Sequence, residues 1–335
     1  MKRIVVALVL SLGLGFIGLY LVAGKELFEA ETYRPRHTSI LAIIICACGL
    51  LAEWHSPTER IRLLCLPQGI TIPYRSAFLV NLLSVLGGAV IPSGSGQGPA
   101  IAAVLGRLGV PAGKSIAVMM QIYVLDMIFF SWSAPLSLWY LIYSDTVALP
   151  ADLKAFTLVA VSLVFAGAII LGRYPQLIVS LLLAIAKWPL LRRFDVKLRK
   201  IAHDYYRSSR SYLSMPVSSW LKLHLMTAGN WVGGFVLLWG LLKLYGIDTN
   251  FLDTLALLNI ISLASQPIPT PRGAGFVEAA VGLSIGASRG GGVAAALLVW
   301  RLTTVYISFL LGPLAGWLLM ISPPIKRTTR TATLR

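Results

Sequence analysis

Residues 259–278 of this 335-residue chain read NIISLASQPIPTPRGAGFVE. The run opens with the apolar character of a helix and then breaks on Pro267, Pro269, Pro271, Gly273 and Gly275. A cation, Arg272, and an anion, Glu278, lie within it. Apolar sequence resumes beyond the break, so this is no polar surface loop. Proline removes a backbone donor and glycine frees the dihedrals, which leaves backbone groups without helical partners. In hydrocarbon such groups persist only where protein or water satisfies them. A broken helix with opposite charges therefore reads as the wall of a polar cavity. An echo lies upstream. Pro92-Ser93-Gly94-Ser95-Gly96 repeats the P-x-G-x-G pattern of Pro271-Arg272-Gly273-Ala274-Gly275, and each follows an asparagine, Asn81 or Asn259, at nearly the same distance.

The rest of the composition agrees with a membrane setting. The chain is 57% hydrophobic and 13% charged, with a mean hydropathy of +0.78; a soluble domain carries about 25% charged residues. Several apolar runs reach the roughly 20 residues that a bilayer crossing needs. The net charge of +16 falls between those runs, where anionic lipid accounts for it better than nucleic acid. Cys46, Cys48 and Cys65 fit neither a disulfide framework nor a zinc spacing. The apolar run after Lys2 and Arg3 is too long for a signal peptide and reads as a retained first span.

In order, crossings are expected at 4–23, 38–54, 115–143, 153–171, 217–242 and 293–321. Lysine and arginine put the 173–216 segment and both termini in the cytoplasm, on the inner membrane; Ser144, Asp145 and Asp152 mark an external loop. That segment holds nine basic residues, with Trp188, Tyr205, Tyr206 and Tyr212 interleaved. It reads as an interfacial strip on anionic cytoplasmic lipid. Around each P-x-G-x-G break sit two short apolar pieces, 76–91 with 97–108 and 254–266 with 276–287, which suggest re-entrant hairpins. Three crossings lie between them, and an odd number inverts the second hairpin relative to the first. The expected fold is thus an all-α polytopic membrane protein in one transmembrane domain, 1–335. It has about six full spans and two re-entrant broken-helix hairpins. The inverted repeats run from 38 to 172 and from 217 to 321, joined by the basic connector 173–216.

Charges in hydrocarbon cost at least about 2.5–3.5 kcal/mol each at a helix centre, so those within spans face protein or a cavity. Asp126, Arg272, Glu278 and Arg301 are such charges. One reading is a pathway in which Arg272, Arg301 and Gln97 face an anionic headgroup, with Glu278 and Asp126 as counter-charges. The other is that Glu278 pairs with Arg301 or Arg272 to lock helices together. Half-helix N-termini after both breaks would add partial positive charge to the same cavity. The expected substrate-binding set is Asn81, Pro92, Gly94, Gly96, Gln97, Asp126, Pro271, Arg272, Gly273, Gly275, Glu278 and Arg301. Asn81, Gln121, Asn230 and Asn259 also suit interhelical hydrogen bonds. His37, His55, His203 and His224 are scattered, and no metal site, cofactor or catalytic constellation is read from the chain.

Two blocks carry a resemblance. Pro269-Thr-Pro271-Arg-Gly273-Ala-Gly275-Phe-Val-Glu278, followed by Trp300-Arg301, is similar to the P-x-P-G-G-x-G-x-x-E and aromatic-Arg signatures of the lysylphosphatidylglycerol synthase transmembrane region, a flippase-like family. The block from Asn81 to Gly109, with Asp126 behind it, resembles the family's first-half counterpart. Arg272 stands where the pattern has glycine. The resemblance implies a lipid flippase or transporter moving an anionic or aminoacylated phospholipid, or an isoprenoid-linked lipid, between leaflets. A transporter of a small anionic or hopanoid-type solute and a non-catalytic scaffold are the alternatives. Relatives that also synthesise lysylphosphatidylglycerol carry a separate transferase domain; this chain ends soon after its last span, so no enzymatic activity is expected.

Overall fold

The computed structural model describes residues 2–36, 39–91, 94–144, 151–186, 195–285 and 290–321. Pro92, Trp188, Arg289, the loop at 145–150 and the basic terminus with Lys326, Arg327, Arg330 and Arg335 lie outside the described residues. The elements are α1 (Lys2–Ala23), α2 (Ile40–Cys65), α3 (Tyr74–Val90), α4 (Gln97–Arg107), α5 (Ala112–Ser144), α6 (Ala151–Arg173) and α7 (Gln176–Ala186). They continue with α8 (Asp195–Leu213), α9 (Val217–Leu244), α10 (Phe251–Ser265), α11 (Phe276–Ile285), α12 (Gly290–Arg301) and α13 (Ile307–Ile321). Among the described residues there is no strand element. Five stretches are long and apolar enough to cross a membrane: Val9–Phe28, Ile40–Gln68, Ala112–Ser144, Val217–Leu244 and Gly291–Ile321. They coincide with five of the expected crossings, and the expected crossing at 153–171 falls within α6. The chain is an all-helical, multi-pass membrane protein.

Local chemistry sets the helix ends. α3 starts after Pro73, and α10 starts at Asn250, whose side chain accepts the Leu252 amide at 2.8 Å. α5 runs unbroken for 33 residues with Pro135 inside it, a length of about 50 Å at 1.5 Å per residue. The largest departure from expectation is α2. The sequence predicts a crossing at 38–54; the helix instead runs on through Pro57 to Cys65. Arg60, which lies beyond the expected crossing, is consequently buried, with 2% exposure.

α2 and α9 form the central pair, and glycine brings their backbones together. A Cβ on Gly49 would fall 2.8 Å from the Gly233 carbonyl, one on Gly233 2.7 Å from the Glu53 amide, and one on Gly240 2.8 Å from Cys46 Sγ. Gly229 lies against Ser56. Positions 46, 49, 53 and 56 thus meet 240, 237, 233 and 229, an antiparallel register along the whole contact. Small residues permit such close approach where no hydrophobic effect drives helices together.

Two of the four buried clusters among the described residues place the other elements around this pair. One joins the C-terminal end of α2 to α3, α4 and the start of α5, with Leu64, Cys65, Ala77, Leu105 and Val118 buried in it. The other joins the ends of α1 and α9 to α10, α11 and α12, around Val22, Leu242, Leu258, Val281 and Ala295. The pair α3–α4 therefore packs in the first core and α10–α11 in the second. Arg62 Nε donates to Ile72 O at 3.1 Å; Tyr140 OH donates to Asp253 Oδ1 at 2.9 Å. α3 packs on α13 as α10 packs on α5.

The connector also differs from its reading. α8 is amphipathic, but its aromatic residues do not all lie free at an interface. Ala202, Tyr205, Ser208 and Tyr212 form a buried stripe, and Tyr205 sits against Gly113 of α5. Tyr212 OH donates to Leu64 O at 3.0 Å and accepts from Gln68 Nε2. Burial pushes both hydroxyls above the usual tyrosine range, so they remain protonated donors. Lys197, Lys200, Arg207 and Arg210 stay on the exposed face.

Candidate functional site

After Ser265 the prolines stop α10, and the chain passes through a turn at Pro271–Gly273; Gly273 within it and Gly275 just after it take φ of 70° and 84°. Arg272 adopts φ 48°, ψ 39°; among the described residues it is the sole non-glycine with positive φ. Left-handed geometry costs an L-residue roughly 1–2 kcal/mol. Gly275 also has no room for a side chain, since a Cβ there would lie 2.8 Å from Leu14 O of α1. α11 then begins, and Glu278 in its first turn accepts the Gly275 amide on Oε2 at 2.8 Å. The positive end of α11 is thereby occupied by the protein's own carboxylate. In the first break, the Gly98 amide is likewise given to Tyr123 OH at 3.2 Å. In each break one first-turn amide is thus satisfied by a protein side chain.

Glu278 and Arg301 form a buried, two-pronged pair: Nε to Oε1 at 2.6 Å and Nη2 to Oε2 at 3.3 Å. The side chains are 1% and 6% exposed. Arg301 Nη1 donates to Arg272 O at 3.3 Å, and the guanidinium stands 5.0 Å from the Trp300 ring centre. All three of these nitrogens thus have protein partners. A π-helical turn, Leu302–Tyr306, follows at once and joins α12 to α13. Thr304 Oγ1 returns to Trp300 O there at 2.7 Å, a local bond of the kind that accommodates an irregular turn.

A second pair was not anticipated. Arg60 Nη1 meets Asp126 Oδ1 at 2.5 Å, and Trp231 Nε1 donates to the same oxygen at 3.1 Å. Asp126, expected as a counter-charge for Arg272 or Arg301, is thus the partner of Arg60. Glu53, also missed, lies on α2 two turns before Arg60 and shares its face. Its carboxylate rests against α9, where a Cβ on Gly234 would fall 2.8 Å from Oε2. The signal that could have found both is the seven-residue spacing Glu53 to Arg60 on one continuous helix.

These groups line a cavity of about 500 Å³ between α2, α5, α9, α12 and the tips of the two broken pairs. The tips meet: a Cβ on Gly94 would lie 3.9 Å from Arg272 Cγ. Of the expected site residues, Asn81, Gly94, Gln97, Asp126, Arg272, Gly273 and Arg301 line the cavity. Gly96, Pro271, Gly275 and Glu278 are not among the lining residues; Glu278 fixes Arg301, and Gly96 presses on the Gly87 carbonyl, where no side chain would fit. Pro92 lies outside the described residues. The two asparagines of the repeated pattern divide. Asn259 is held by Ser133 and Ser137 at 3.4 and 2.9 Å, an interhelical clasp. Asn81 is 2% exposed and its Nδ2 has no partner. Five buried side-chain polar atoms among the described residues lack a hydrogen bond, and three belong to cavity residues: Arg60 Nε, Asn81 Nδ2 and Arg272 Nη1. All three are donors, which calls for an acceptor-rich guest or water. Among the described residues no group of three or more His, Cys, Asp or Glu is placed to hold a metal ion.

Fold and site together define a helical membrane protein with a buried, charged cavity where two broken helix pairs meet. The chain belongs to the family described as the lysylphosphatidylglycerol synthase TM region, which matches residues 4–312. It is also 23% identical over 289 residues to a UPF0104 membrane protein of Archaeoglobus fulgidus, covering 82% of this chain and 85% of that relative. The family read from the two sequence blocks is borne out.

Proposed function

We propose that this protein is a lipid flippase or transporter that carries the headgroup of an anionic or aminoacylated phospholipid, or of an isoprenoid-linked lipid, through the cavity between leaflets. The observation that carries this reading is the set of three unpartnered buried donors on residues that line the cavity. Phosphate oxygens would satisfy them, and paired charges would replace the headgroup's water. The inverted packing of the two broken pairs supports the rest. In this reading α3–α4 and α10–α11 are re-entrant hairpins from opposite membrane faces, in repeats 38–172 and 217–321 of a single transmembrane domain. Alternating access rocks them about the glycine-packed α2–α9 pair. Both termini and the 173–216 connector face the cytoplasm at the inner membrane. The exposed basic face of α8 lies on anionic lipid. No covalent chemistry is involved.

Reconstitution tests this. Vesicles holding the purified protein and a headgroup-labelled fluorescent phospholipid should exchange label between leaflets faster than protein-free vesicles. Exchange at the protein-free rate for phospholipids and isoprenoid-linked lipids alike would overturn the proposal. A cavity of this size also suits a small anionic solute, and solute uptake into the same vesicles without lipid exchange would favour that reading.

A further inference from the structure

Read as sequence, the site is rich in arginine and predicts an anionic guest. The structure balances those charges differently. Arg301 is closed by Glu278 and Arg60 by Asp126. Arg272 remains, its Nη1 unpartnered, and Glu53 is a further carboxylate that lines the same cavity. Counting Glu278 behind the wall, and with Glu53 ionised, three guanidiniums meet three carboxylates, and the site carries no net charge. A guest with net charge, stripped of water in such a place, would leave one protein charge without a counterpart. An anion on Arg272 would also stand near Glu53, and juxtaposed like charges disfavour the wrong partner.

A guest that carries a negative group and a positive group a few bonds apart avoids both penalties. Its oxygens take the donors of Arg272 and Asn81, and its cation takes Glu53. The aromatic wall suits the cation as well. The indole N–H groups of Trp54 and Trp231 are committed to Thr303 O at 3.3 Å and to Asp126 at 3.1 Å. Both rings line the cavity, and the face of an aromatic ring attracts ammonium.

We infer that the cavity selects a dipolar headgroup, a phosphate with an attached ammonium, and that Glu53 is the residue that sets this preference over a net-anionic headgroup. This rests on the lipid-binding reading above, but its test is separate from transport. Binding of short-chain, water-soluble phospholipids to the purified full-length chain is measured by calorimetry, one with an ethanolamine headgroup and one with a glycerol headgroup. The wild type should bind the ethanolamine lipid about tenfold more tightly. Glu53→Gln should abolish the preference, weakening ethanolamine lipid and strengthening glycerol lipid. Equal affinities, a preference for glycerol, binding of neither, or an unchanged ratio in Glu53→Gln would each overturn the inference. The wild-type ratio decides even if the variant fails to fold. Free O-phosphoethanolamine binding as tightly as the lipid would keep the dipolar preference and count against a lipid guest. Dipolar preference without leaflet exchange would remove the transport reading alone, and exchange that favours the glycerol lipid would remove this inference alone.

Discussion

Arg272 is held in a backbone conformation that costs an L-residue roughly 1–2 kcal/mol, and glycine would adopt it freely. Strain at a cavity wall points to a task for the side chain. Arg272→Gly separates fold from function: the melting temperature in detergent should stay at or above the wild-type value while lipid exchange falls by about tenfold or more. A melting temperature well below wild type would make Arg272 a structural residue. Glu278 predicts the opposite pattern. Glu278→Ala strands Arg301 in a buried site and should cost about 3–5 kcal/mol of stability, seen as a large loss of folded protein. The sequence made the Glu278–Arg301 pair legible because both charges interrupt apolar runs that must pack together. It hid Arg60, because an apolar run ending near Trp54 looks like the end of a helix. Helix geometry continues past the apolar core, and Pro57 does not stop it. With Arg60 hidden, Asp126 lacks its true partner, and Glu53, at the end of the apolar run, does not stand out as a charge within a span.

At the scale of elements, the α2–α9 contact rests on absent side chains. Gly233→Leu would drive a branched side chain into Ala52 and the α2 backbone, and should abolish the monodisperse folded protein in size-exclusion chromatography. Gly106→Ala makes the control, since nothing lies within 4 Å of its added Cβ; it should be neutral or stabilising by up to about 1 kcal/mol. Such a contact was not legible, because glycine in an apolar run signals close approach without naming the partner. The broken pairs were legible, since proline and glycine act locally. α8 was legible in part: its basic face was read, but the stripe of Tyr205, Ser208 and Tyr212 docks on the bundle and only long-range packing reveals it. Lys197→Glu with Lys200→Glu and Arg207→Glu on the exposed face should reduce the anionic phospholipid that co-purifies, measured by mass spectrometry, at roughly 1 kcal/mol of attraction per basic residue. Unchanged lipid content would remove the membrane from that face.

For the whole molecule, the proposed orientation places Lys200 in the cytoplasm and Asp248 outside. In a chain whose native cysteines are replaced, an impermeant thiol reagent added to intact cells should label Asp248→Cys and spare Lys200→Cys; the reverse would invert the topology. The overall plan follows from few marks on the chain, two P-x-G-x-G breaks and the basic connector between them. The sequence suggests that both breaks face one cavity; what it could not convey is that Gly94 and Arg272 approach each other there. That convergence is the centre of the account, and a phospholipid with a photoreactive group on its headgroup tests it most directly. Irradiated with the reconstituted protein and mapped by peptide mass spectrometry, it should modify cavity residues such as Trp54, Gln97, Tyr123 and Trp231, and unlabelled lipid should compete. Adducts confined to outward-facing side chains such as Trp132, Trp139 and Trp317, with the cavity unmarked, would contradict a headgroup path between the hairpin tips.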